Sequence, residues 1–116
     1  MTWFELLLTT LYVDIGAQTQ ELPIALAWYT RVNDEFQNQV KREEELGLPL
    51  TDYMIGLESE TKRCKSQIGF ISQFVFPVWS TLASIFPELQ CAVDRCVRNE
   101  AYYQEQLDKL KYQNCD

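Results

Sequence analysis

At 116 residues, 47% of them hydrophobic, the chain has the usual size of one domain and enough apolar material for one core. Its 10 basic and 17 acidic residues give a net charge of -7, which disfavours a nucleic-acid backbone or an anionic membrane surface as a non-specific partner. It contains no histidine, which excludes the commonest general acid and base and the commonest zinc ligand.

In chain order, Phe4, Leu6, Leu7, Leu8, Leu11, Tyr12 and Val13 predict a short helix too apolar to stand exposed, ending near Asp14-Ile15-Gly16. It reads either as the remnant of a larger bundle whose preceding helices are absent or as a simple N-terminal core helix. The segment lacks a basic leader and carries Glu5, so it is a poor secretory signal; a cytoplasmic location is expected, with membrane association through missing regions as the alternative. After a polar break at Gly16 to Gln20, Glu21-Leu22-Pro23 opens a second helix with proline in the first turn, where its missing N–H costs nothing. That helix is expected to run to about Leu46, with Ala25, Trp28, Val32, Phe36 and Val40 as one apolar stripe. Gly47 caps it and Pro49 prevents continuation.

Leu48 to Thr61 reads as a long ordered loop of the kind that borders a site, and Glu58-Ser59-Glu60-Thr61 supply helix-start signals. A third helix follows, apolar at Ile68, Ile71, Val75, Val78, Leu82 and Ile85 and widened by Phe70, Phe74 and Trp79. It is expected to be buried on most sides and kinked near Phe76 by Pro77. Ile68 to Phe86 approaches bilayer-spanning length, but Ser72, Gln73, Ser80, Thr81 and Ser84 punctuate it, so no membrane span is expected. Phe86-Pro87-Glu88 starts a fourth helix carrying Leu89, Val93, Cys96, Val97, Tyr103, Leu107 and Leu110, with a frayed tail after Lys111. Cys64, Cys91, Cys96 and Cys115 form no CxxC pair and read as free thiols.

Chemistry concentrates in Lys65 to Ile71. On a helix, Gln67 and Phe70 share a face, which sets an amide that reads hydrogen bonds beside a ring that stacks, a pairing suited to a purine. Trp28, Val32 and Phe36 recur every four residues and so line one face of the second helix.

These residues, with Glu45-Leu46-Gly47-Leu48-Pro49, Ser66-Gln67-Ile68-Gly69-Phe70-Ile71 and Pro77-Val78-Trp79, make the chain resemble the C-terminal part of the class I 3',5'-cyclic-nucleotide phosphodiesterase catalytic domain, from about Leu6 to Gln106. The resemblance implies an all-α fold of about four helices forming part of a larger helical domain. It implies that Gln67 hydrogen-bonds the purine edge of cyclic AMP or cyclic GMP, that Phe70 and Val32 face the base from opposite sides, and that Trp28, Phe36 and Tyr53 or Met54 complete the pocket. It also implies a divalent metal pair, zinc with magnesium or manganese, to which Asp14 would contribute one ligand. The histidines that hold those metals and protonate the leaving group have no counterpart here. The family's asparagine and proline after the metal aspartate are Ala17 and Gln18, and its Asp-Arg pair after the loop methionine is Ile55-Gly56, so the phosphate side reads as eroded. The expectation is a chain that carries base recognition and is inactive alone. The alternative is a non-catalytic helical module that packs on another chain, like or unlike itself, through an exposed apolar face.

Overall fold

The structure, a computed structural model, describes residues 2, 3, 6, 7 and 15–113; most of the first expected helix, Asp14 included, lies outside them. The described residues are helical with no strand, and three long helical runs dominate. The first, α1 (Leu22–Glu45), begins with Pro23 in its opening turn, as the sequence predicts. It ends on a Schellman motif: Leu48 N–H donates to the Glu43 carbonyl at 2.9 Å and Gly47 N–H to that of Glu44 at 3.1 Å. That closure needs a left-handed residue, which Gly47 supplies at φ 67°.

Glu43 then ties the following loop back to α1. Its carboxylate accepts from Thr51 N–H at 2.8 Å and from the Thr51 hydroxyl at 2.7 Å. A short turn, Asp52–Met54, follows, and the loop seats Met54 and Leu57 in the interior. The loop is therefore ordered by named bonds, among them Gln37 Nε2 to the Leu57 carbonyl at 3.1 Å and Arg63 to the same oxygen at 2.7 Å. Ser59 caps the next helix by accepting from Lys62 N–H.

The second run comprises α2 (Glu60–Phe70), a π turn (Ile71–Val75) and α3 (Phe76–Ile85). Where the sequence predicts a kink, a π turn stands immediately before Pro77. Proline offers no N–H and its ring crowds the carbonyl four residues earlier, and a wider turn accommodates both effects. The turn also sets which residues are buried: Ile71, Val75, Trp79 and Ala83 form the inner face, each four residues after the last. Steps of four outrun a 3.6-residue period, and the wider turn absorbs the surplus.

Burial on most sides does not hold. Phe74 and Ile85 are 56% and 61% exposed, so this run has one core face and one open face. It is also the one described helix long and apolar enough to cross a membrane by length and composition, and its inner face packs instead on the last helix. Phe86, in extended conformation, breaks the chain, a turn at Pro87–Leu89 redirects it, and α4 (Gln90–Gln113) follows. The expected frayed tail lies largely outside the described residues.

The core joins Ile71, Val75, Trp79 and Ala83 to Ala92, Val93, Cys96 and Tyr103 of α4, with Leu26 and Tyr29 of α1 against its edge. The α1 stripe is covered only in part: Ala25 is buried, but Trp28 and Val32 are 46% and 40% exposed because α1 meets the core through the neighbouring face. At the amino end Trp3, Leu6 and Leu7 are likewise exposed, where a buried helix is expected. The radius of gyration is 16.3 Å in a slab 21 Å thin, against about 13 Å for a compact domain of this length.

Candidate functional site

The exposed part of the α1 stripe forms one wall of a groove of about 790 Å³ between α1 and the α2 to π-turn run. Trp28, Val32 and Phe36 descend one face of α1 at successive four-residue steps, and Gln67, Phe70 and Phe74 stand opposite. Tyr53, from the loop, meets Phe36 edge to face, with ring centroids 5.9 Å apart. All six residues singled out from the sequence, Gln67, Phe70, Val32, Phe36, Trp28 and Tyr53, therefore line a single cavity. Met54 does not: it is buried beneath the loop.

Among the described residues Lys65 is the one charged side chain on the lining, and none of them sets a carboxylate against an anionic ligand here. Arg31 stacks over the Trp28 ring, its Cζ 5.5 Å from the centroid. Among the described residues no hydrogen bond fixes the Gln67 amide, which is free to turn its donor or its acceptor toward a ligand.

Sequence reasoning missed part of the lining. Tyr29, Asn33, Gln73 and Phe74 also face the groove. Phe74 was detectable as the residue one helical turn beyond Phe70, and the two rings are 5.9 Å apart. Asn33 is buried and donates to the Tyr29 carbonyl at 2.7 Å, which satisfies its amide within α1. Burial pushes the Tyr29 phenol up to about 12, with the adjacent Cys64 thiol adding to the effect. Burial likewise raises the Cys64 thiol, so neither group is a nucleophile at neutral pH.

The eroded side reads differently in three dimensions. Gln18 is buried, and Gly56, at φ 81°, forms a turn whose Ile55 carbonyl accepts from the Lys62 ammonium. Among the described residues no group of three His, Cys, Asp or Glu side chains is close enough to hold a metal ion. Cys64, Cys91 and Cys96 are free thiols.

Comparison with known proteins bears on this geometry. Residues 3–96 match the family described as 3'5'-cyclic nucleotide phosphodiesterase. A 3',5'-cyclic-AMP phosphodiesterase isoform of Drosophila melanogaster is 33% identical over 95 residues, 81% of this chain and 14% of its own length. The 3',5'-cyclic-AMP phosphodiesterase 4C of Rattus norvegicus is 30% identical over 95 residues, 17% of its length. The chain thus spans less than a fifth of these relatives. Among solved structures, the phosphodiesterase domain of a rhodopsin phosphodiesterase from the choanoflagellate Salpingoeca rosetta superposes with a TM-score of 0.81 at 28% identity, over 87% of this chain and 30% of that one.

Proposed function

This chain belongs to the 3'5'-cyclic nucleotide phosphodiesterase family, and from that premise we propose that its groove is the base-recognition part of a cyclic-nucleotide site. In this reading the Gln67 amide hydrogen-bonds the purine edge, Phe70 stacks on one face of the base and Val32 contacts the other. Trp28, Phe36 and Tyr53 shape the remaining walls. The observation that carries it is the convergence of these six side chains on one cavity, whose described lining contains no carboxylate. Apolar walls with a single adaptable amide suit a flat heterocycle. The complete domain would hydrolyse cyclic AMP or cyclic GMP to the 5'-monophosphate.

The family implies a divalent metal pair, which would activate water for attack on phosphorus. The residues of this chain do not fit it: the sequence has no histidine, the described residues offer no three-ligand group, and Asp14 would be a single carboxylate. We therefore assign recognition, and not hydrolysis, to this chain alone.

Titrating the protein with cyclic AMP, cyclic GMP and cyclic CMP while following tryptophan fluorescence tests the assignment. Purine nucleotides quench, and Gln67→Ala and Phe70→Ala each weaken binding about tenfold. Equal response to the pyrimidine, or indifference to both substitutions, would defeat the reading. Added magnesium produces no turnover.

The exposed Trp3, Leu6, Leu7 and Ile85 favour a second reading, in which this apolar surface packs on another polypeptide. Sedimentation showing a folded monomer that binds no hydrophobic dye would count against it.

A further inference from the structure

The groove wall formed by Ala17 and Gln18 belongs to neither of the long runs that flank it. It is held from α4, by side chains about eighty residues away. Asn99 Nδ2 donates to the carbonyls of Gln18 and Gln20, 2.9 Å each, and Arg95 Nε to that of Thr19 at 2.6 Å. The Tyr103 hydroxyl donates to Gln18 Oε1 at 3.0 Å, while Gln18 Nε2 donates to the Ala25 carbonyl at 3.3 Å. These two partners fix the amide's orientation, because a flipped amide would set its oxygen against the Ala25 carbonyl. Gln18 is 3% exposed and Tyr103 1%.

We propose that Tyr103, which does not line the groove, is a positioning residue for the nucleotide, acting through Gln18; the inference rests on the nucleotide reading above. Its ring also lies 5.1 Å from that of Tyr29, so one buried tyrosine braces two lining residues, one by a hydrogen bond and one by ring contact. Without the hydroxyl, Gln18 Oε1 loses its partner in an apolar setting, and the water it then seeks is that of the groove. The wall loosens and the cavity is no longer preformed for a ligand.

The test is a double-mutant cycle read by fluorescence titration with cyclic AMP. Tyr103→Phe keeps the ring contact and raises Kd about five- to tenfold; Gln18→Met cuts the same bond from its other end, together with the bond to the Ala25 carbonyl, and raises Kd at least as much. The double variant is no worse than Gln18→Met alone, because the bond that Tyr103→Phe removes is already absent there. Leu107→Ala, buried on the same helix, lowers the melting temperature without changing Kd, which separates positioning from general stability. Multiplicative losses in the double variant, or a matching loss in Leu107→Ala, overturn the inference and leave the nucleotide reading intact. Absence of purine binding by the unaltered protein removes both. If Tyr103→Phe does not fold, Gln18→Met carries the test, and an unchanged Kd there overturns the inference.

Discussion

Phe36 of α1 and Tyr53 of the loop meet with ring planes 81° apart, and this contact brings the loop against the groove. Tyr53 is otherwise 65% exposed, so its position depends on that pair more than on burial. An edge-to-face pair contributes about 0.5–1.5 kcal/mol beyond the area it buries. Tyr53→Ala is expected to leave the melting temperature almost unchanged and to weaken cyclic-nucleotide binding about three- to tenfold by fluorescence titration. Tyr53→Phe, which keeps the ring, is expected to bind as the unaltered chain does.

Alkaline pH should destabilise the fold in a defined window. Burial raises the Cys96 thiol from 9.0 to about 11 and the Tyr29 phenol from 10.0 to about 12, and it raises Tyr103 as well. Each folded value lies above its unfolded one, so between the two the unfolded chain has released protons that the folded chain retains. Stability is then full below about pH 9 and falls as pH rises toward 12. Urea midpoints measured from pH 8 to 11 should show that fall, and Tyr29→Phe should flatten its upper part. A midpoint independent of pH above 9 would contradict the burial of all three groups.

Leu57 is fully buried although it sits in the loop. Leu57→Ala is expected to cost about 2–5 kcal/mol, as for a core helix position, and chemical denaturation measures it. A cost under about 1 kcal/mol, the usual range for a surface site, would mean that the loop is not part of the folded core.

At Gly47 a methyl group would meet no atom within 4 Å, so the backbone alone resists substitution. Gly47→Ala should cost about 1 kcal/mol through the left-handed φ and leave nucleotide affinity unchanged. A larger loss, or a change in Kd, would show that the turn supports the groove as well as the end of α1.

Much of this architecture was legible in the residues. Pro23, Gly47, Ser59 and Pro87 punctuate the helices where local backbone chemistry requires it, and such signals survive in any tertiary setting. Gln67 and Phe70 could be paired because their spacing alone puts them on one face. Burial was harder to read. Periodicity gives an apolar face to α1 and to the long middle run but cannot say whether another element covers it, so the middle run, expected to be buried on most sides, has an open face at Phe74 and Ile85. Trp79 was placed at the margin of its helix because a regular period was assumed through a segment that a π turn rephases. Gln18 was counted as a loss because its partners, Ala25 and Tyr103, are supplied by the fold and not by its sequence neighbours.

The π turn at Ile71–Val75 has a consequence for how this chain tolerates change in length. Upstream of it the run presents Gln67 and Phe70 to the groove; downstream it presents Trp79 and Ala83 to the core. Deleting Ser72 would restore an ordinary helix and, because four α-helical residues sweep nearly the angle that five sweep in the π turn, would keep the amide and ring in the groove and the tryptophan in the core. Deleting a second residue would rotate one half against the other by about 100°, and either set would leave its place. The segment joins two otherwise independent helical phases, and a single residue is the tolerance of that joint.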